Sequence, residues 1–543
     1  MFFNYSYQKI IQIMKTNIKD TKAYLVGGGI GNMAAASFMI RDGGIPGENI
    51  TIYEALPVLG GVLDAAGNAE SGYSMRGGRM LCADIYECMW SLMKTIPSLT
   101  DPNKSVYDET VEFNKVVKTD AHARIINKNR AVPDLSSLGL SMHNRFELLR
   151  LLETSEEKLG NDRITDWLSP ELLESNFWYM WITSFAFEPW HSAVEFKRYM
   201  HRFLKQFTQI ATMGGISRTV YNEYDSLVRP LEAWLVEKGV KILKGHTVTD
   251  LNLDFDDEDG KWAVNKIEYV VEGKTETIPI SKNDLVFFQN GSMGDATSIG
   301  SMTSPPKRLT KADSKGWDLW EKLAKGRPEF GNPAVFNSSI PESNWESFIV
   351  TLKDPVFFDK MEELTGNKHG TGALVTFKDS NWLLSVVLKH QRRYPQQPDG
   401  VQVFWGYSLR PDRIGDFVSK SMTECNGQDI LKEICGHLRF DMDEVFSNAT
   451  CIPCKMPYIT SMFMPRTNTD RPLPVPKNSR NLAFVSQFVE IPHDTVFTVE
   501  YSVRAAQMAV YELLDIHKKI PPITRHDKDL KVNLDAALRT LKN

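Results

Sequence analysis

The feature that most narrows what this chain can fold into is a glycine-rich turn set between an apolar stretch and a run of small residues. Residues 22–26 are mostly apolar, Gly27-Gly28-Gly29-Ile30-Gly31-Asn32 follows at once, and residues 33–40 are small and helix-forming. After a loop at 43–47, Ile50-Thr51-Ile52-Tyr53 reads as a second strand. Strand, tight turn, helix and strand are the start of a doubly wound parallel sheet. Gly27 permits the sharp bend, and Gly29 leaves room for a pyrophosphate against the backbone. Ile30 and Gly31 open a helix whose free N–H groups favour an anion. Asn32 stands where a third glycine is usual. Glu54 ends the second strand and can accept hydrogen bonds from ribose hydroxyls. The 43–47 loop accounts for its long spacing from Gly27.

A glycine pair, Gly60-Gly61, follows Glu54, and then comes Met75-Arg76-Gly77-Gly78-Arg79-Met80. A glycine pair after the ribose acid, then an arginine-bearing loop, predicts a flavin-lining segment, with FAD as the dinucleotide. Arg79 would balance charge near the flavin, and the alternative is a surface turn with two solvated arginines. Further strands are predicted at 240–243, 246–253 and 285–288, the last running into Gln289-Asn290-Gly291-Ser292. Residues 481–486 repeat that pattern before a helix at 500–514. Val248, Asn290, Gly291, Ser292, Phe488, Thr495 and Val496 are accordingly expected at the cofactor, together with Gly27, Gly29, Ile30, Gly31, Asn32, Glu54, Gly61, Arg79 and Met80. The predicted class is α/β, with a discontinuous Rossmann-like FAD domain drawn from 20–110, 205–310 and 475–515. Residues 111–204 and 311–474, aromatic-rich and then mixed in strands and turns, would form an inserted α+β substrate region. A helical segment, 516–543, would close the chain.

Composition mostly excludes. A formal net charge of −5 over 543 residues argues against nucleic acid as the main partner. No run of about 20 apolar residues would span a membrane. The first 20 residues carry three lysines and no small-residue cleavage site, so they read as a leader or short helix and not as a signal peptide. Six cysteines are too few for a disulfide scaffold, which points to the cytoplasm. Cys451-Ile-Pro-Cys454 has zinc-knuckle spacing without a second pair, and the acidic run 254–260 reads as a solvated hairpin tip, so no metal is expected.

Several segments together carry a specific resemblance. They are 27–32, 75–80, Phe187-Glu188-Pro189-Trp190-His191-Ser192, Tyr221-Asn222-Glu223-Tyr224-Asp225-Ser226, Asn290-Gly291-Ser292-Met293, and Phe488-Val489-Glu490-Ile491-Pro492 on to Arg504. Spread over nearly the whole chain, they resemble the fatty acid hydratases, the oleate hydratase family once called myosin-cross-reactive antigens. The resemblance implies bound FAD, a long apolar tunnel ending near the flavin, and addition of water to a cis double bond of a long-chain unsaturated fatty acid without net redox change. It also implies a general acid, in many relatives a glutamate directly after the Arg-Gly-Gly-Arg loop. Met80 stands there in this chain and cannot donate a proton, as in a branch of the family that carries methionine at that place. Tyr199 matches the tyrosine that acts beside that glutamate, and Lys389 stands where relatives have an asparagine near substrate. Glu195 and Asp84 are substitute acids to consider. Two other readings stay open: a flavin-dependent lipid oxidoreductase or isomerase, and a flavin- and lipid-binding protein without catalysis. Leu530, Leu534, Leu538 and Leu541 recur at helical spacing beside Lys528, Lys531, Arg539 and Lys542. That pattern fits either a peripheral membrane contact or a helix docked on its own domain. Monomer and homodimer are equally compatible with the sequence.

Overall fold

The computed structural model describes residues 18–135, 137–256 and 260–541. The leader reading at the first residues, the tip at 257–259 and the side chains at the very C-terminus therefore lie outside the described residues.

Five parallel strands form the first sheet: β1 (Ala23–Val26), β2 (Ile50–Glu54), β3 (Lys241–Lys244), β4 (Leu285–Phe288) and β10 (Leu482–Phe484). Their order is β10-β4-β1-β2-β3, so strands from the start, middle and end of the sequence meet side by side. β1 sits centrally, with Ala23 opposite both Ile50 and Leu285. All four of its residues are buried, as a parallel strand covered on both faces requires. Helix α1 (Ile30–Phe38) follows the glycine turn and is buried along its full length. Its alanines let a late helix, α5 (Val499–Leu513), lie close against it. An antiparallel three-stranded sheet, Thr247–Asp256, Lys261–Val271 and Lys274–Pro279, projects from this layer.

A second sheet has seven strands. Its core is β5 (Trp345–Leu352), β6 (Thr371–Phe377), β7 (Leu384–Lys389), β8 (Gln402–Ser408) and β9 (Thr450–Met456). The order runs Ser298–Ile299, β9, β5, β8, β7, β6, Ile125–Ile126. Both faces are buried. One joins the main core, and the other is capped by helix α4 (Gly427–Leu438) over a separate apolar cluster. The two-residue period of β7 then decides a functional side chain. Leu384, Val386 and Leu388 face the outer cluster, so Ser385, Val387 and Lys389 face inward.

Helices α2 (Asn176–Phe185) and α3 (Ala193–Arg202) join the main core, α2 lying against β6. Helix α3 carries charged residues yet nearly all of it is buried, and those charges are paired inside the protein. The last helix, α6 (Leu530–Leu541), tucks Ala536 inward while Leu530, Leu534 and Leu538 face solvent. Among the described residues no helix is long and apolar enough to cross a membrane.

Candidate active site

A cleft of about 680 Å³ opens at the C-terminal ends of β1, β2 and β4, beside the glycine turn. That is within the range of small-molecule and cofactor sites, and the ends of parallel strands are where open α/β sheets bind ligands. Gly27, with φ +95°, makes the bend. The Gly28 N–H donates to Glu54 Oε2 at 2.7 Å and the Gly29 N–H to Gln289 Oε1 at 2.7 Å. Both N–H groups are thus taken by side chains, which would have to swing aside for a pyrophosphate to accept from them. A Cβ at Gly29 would lie 2.7 Å from Gln289 Nε2, so any side chain there would displace Gln289. Burial pushes the Glu54 carboxyl up, against the opposing pull of the Leu56 and Gly28 N–H groups. The residues present fit a flavin dinucleotide: a helix N-terminus and two glycine N–H groups for the pyrophosphate, and Glu54 for the ribose.

Of the residues singled out for the cofactor, Gly27, Gly29, Ile30, Glu54, Gly61, Arg79, Val248, Gly291, Ser292 and Phe488 line this cleft. Gly31, Asn32, Asn290, Thr495 and Val496 stand behind it. Asn32 donates from Nδ2 to the carbonyls of Val26 and Gly27, both at 2.8 Å, and so locks the strand end instead of touching a ligand. Gly31 lets the helix approach β10, since a Cβ would lie 2.8 Å from the Val485 carbonyl. Asn290 joins Ser486 and the Phe488 carbonyl. Gln289 was missed by motif reading. Its place at the end of β4, next to β1, is the signal that could have found it.

A second cavity, apolar and more enclosed, meets the cleft. Arg79, Phe497, Thr498 and Val499 line both. Its other walls include Met80, Tyr86, Phe185, Tyr199, Trp345 and Trp405, with Arg218 and Lys389 at one end. Arg79 is fixed by its N–H to Glu223 Oε1 at 3.1 Å and by Phe497, whose ring centre is 5.4 Å from the guanidinium carbon. Its Nη2 makes no hydrogen bond. Burial pulls its pKa down, with Glu223 opposing.

The catalytic candidates Met80, Tyr199 and Lys389 all line this cavity. The Tyr199 hydroxyl donates to the Val496 carbonyl at 2.6 Å, and the ring stacks on Phe203 at 5.2 Å. Burial, then Glu195, pushes the phenol well above its usual value. Lys389 Nζ makes no hydrogen bond and lies 5.7 Å from the centre of the Trp405 ring. Burial drives its pKa well below the usual lysine value, more than Glu223 can restore. The Glu223 carboxyl is held below its usual value despite burial, by Lys389 first and then by Arg393 and the Arg79 N–H. Among the described residues no carboxylic acid lines the cavity. Glu195 is sealed in the protein. Burial alone would raise its carboxyl, but Arg471 and Arg466 hold it down to about 2, so it has no proton to give. Asp84 pairs with Lys205 at the surface.

Residues 20–511 match the model of the MCRA family. The chain belongs to the MCRA family. An oleate hydratase from Streptococcus pyogenes serotype M49 (strain NZ131) is 38% identical over 517 residues, spanning 93% of this chain and 87% of that protein. A linoleate hydratase from Lactiplantibacillus plantarum is 31% identical over 567 residues, spanning 95% and 98%. Among solved structures, an oxidoreductase from Methanosarcina mazei superposes with a TM-score of 0.47 at 12% identity, covering 91% of this chain and 100% of that one. The MCRA match ends before α6, so the terminal helix lies beyond the matched segment.

Proposed function

We propose that this MCRA-family chain is an FAD-dependent hydratase that adds water across a cis double bond of a long-chain unsaturated fatty acid. The observation that carries the reading is the junction at Arg79 and Phe497, where an apolar cavity opens onto a cleft built for a dinucleotide. Segments 20–110, 205–310 and 475–515 would hold the flavin, and 111–204 with 311–474 would enclose the lipid. When bound, FAD supplies a rigid polar wall and charge beside the double bond. Water addition moves no electrons, so the protein's own groups must handle the proton.

Tyr199 is the group assigned to the reacting carbon and its water, since Met80 carries no proton and Glu195 is locked as a carboxylate. Burial lowers the Lys389 pKa and eases loss of its proton, and the resulting amine can accept a proton from water or orient it. A smaller cavity continues past Lys389, lined by Arg218, His390 and Arg393. The Nε atoms of Arg218 and Arg393 make no hydrogen bonds. Two buried guanidiniums with free donors fit the fatty acid carboxylate, which would fix the double bond against Tyr199. Six free, buried thiols accord with a cytoplasmic setting. The outward leucines of α6 fit shallow contact with anionic lipid, from which substrate would be drawn.

Purified protein with FAD and oleate, followed by product mass, tests the reading. A gain of one water without stoichiometric use of reducing equivalents supports it. Loss or relocation of hydrogens would replace it with a lipid oxidoreductase or isomerase, and unchanged oleate with bound FAD would leave a lipid-binding flavoprotein.

A further inference from the structure

Far from the flavin cleft, under the outer face of the seven-stranded sheet, Glu433 and His437 sit one turn apart on α4 and Asp416 approaches from the preceding loop. His437 Nε2 lies 3.3 Å from Glu433 Oε1 and 3.5 Å from Asp416 Oδ2. Bonds of about 2.0–2.1 Å to a tetrahedral cation put neighbouring ligand atoms about 3.3–3.4 Å apart. The imidazole side chain is only 9% exposed, and its Nε2 faces these two carboxylate oxygens without a well-aligned hydrogen bond to either.

The three groups are held in place by their surroundings. Glu433 accepts from the N–H groups of Asp416, Phe417 and Val418 at 2.7, 2.8 and 3.0 Å, which fixes both its oxygens and the approach of the loop. The His437 ring lies between Phe377 and Phe417, with centroids at 5.4 and 5.0 Å. Two glycines make that closeness attainable. A Cβ at Gly436 would fall 2.1 Å from the Phe417 ring, and one at Gly415 would fall 2.8 Å from Glu433 Oε2. Asp416 Oδ2 also accepts from the Asn381 N–H at 2.8 Å, and its side chain is 29% exposed, which leaves a route for solvent and ions.

We propose that Asp416, Glu433 and His437 form a divalent transition-metal site, zinc by ligand chemistry, that clasps the 410–421 loop to α4. An imidazole nitrogen with two carboxylate oxygens suits zinc, whereas calcium and magnesium favour larger all-oxygen shells. The fourth position faces solvent and would take water. The site is separate from the flavin cleft and does not depend on the hydratase reading.

The test uses the full chain with bound flavin, stripped with EDTA, then titrated with zinc chloride by calorimetry and by thermal melting. One zinc per chain and a higher Tm are expected, because an ion that binds only the folded state stabilises it by mass action. Asp416→Asn and His437→Gln should each weaken binding at least tenfold, and the visible absorption of tetrahedral cobalt(II) should be lost in both. If His437→Gln does not fold, Asp416→Asn carries the test, since its amide oxygen still accepts from Asn381. Unaltered zinc affinity and cobalt absorption in a folded variant would overturn the proposal. So would a wild type that shows no heat of zinc binding and no change in Tm with zinc.

Discussion

At the residue scale, the active-site candidates differ in what burial has done to them. Tyr199 is a phenol driven further from acidity by burial, so it is a weak proton donor to an alkene, and turnover should be slow. Tyr199→Phe is expected to lower kcat by about two orders of magnitude, the usual worth of a general acid–base group, while FAD absorbance and circular dichroism stay intact. The variant also leaves the Val496 carbonyl without its donor, so some loss of Tm should accompany it. Met80→Glu restores a carboxyl beside the Arg79 loop and should raise the rate, read in the same assay. Lys389 gives a prediction of opposite sign for stability. Its folded pKa lies below the unfolded value of about 10.4, so the native state binds fewer protons than the unfolded chain between those two values. Stability therefore rises with pH across that window, and the full cost is present below it. Lys389→Met should raise Tm at neutral pH, with the gain shrinking toward pH 10, and should impair oleate turnover. A Tm difference that does not vary with pH would mean the lysine is not buried uncharged.

Elements decide which of these residues meet. The turn between β1 and α1 works because Gly28 and Gly29 present consecutive N–H groups, here satisfied by Glu54 and Gln289. Gly29→Leu places a side chain into Gln289 and the pyrophosphate position together, and should abolish flavin absorbance in a protein that still folds. Bound flavin at wild-type level in that variant would put the dinucleotide elsewhere. The same scale explains why Asp84 and Glu195 fail as acids. Asp84 leaves the site with the surface turn before Tyr86, and Glu195 lies on the face of α3 that meets Arg466 and Arg471. Tyr199, one turn further along the same side of α3, reaches the cavity that Glu195 does not line.

At the scale of the whole molecule, the two sheets and the buried ion pairs of α3 hold the cleft and the apolar cavity against one another. Arg198 pairs with Glu156 and Glu490, and Arg202 with Glu87 and Asp494, tying segments from across the chain. Removing one partner from such a pair commonly costs about 3–5 kcal/mol, so Arg202→Met should lower Tm and loosen flavin binding together, measured by melting and by flavin release. Helix α6 is attached through Ala536 and by Arg539, which donates to the Leu135 carbonyl at 2.7 Å, while its leucines face out. Deleting 527–543 should reduce sedimentation with anionic liposomes while leaving turnover of dispersed oleate nearly unchanged. Unchanged sedimentation would remove the membrane contact.

The sequence by itself determined the local parts. The glycine turn, Glu54 and the Arg76–Arg79 loop were legible because their chemistry depends on neighbours a few residues away, and backbone geometry leaves few residue types able to serve. The spread of resembling segments likewise gave the family. Only the tertiary structure decided which side chains meet and in what charge state. Gln289 reaches Gly29 because β4 lies beside β1, 260 positions apart in sequence. Glu195 is a fixed carboxylate because two arginines some 270 residues later close over it. Lys389 has its pKa lowered because the register of β7 turns it into a buried cavity. Protonation follows from burial and from charges brought close by folding, and neither is written in any short stretch of chain.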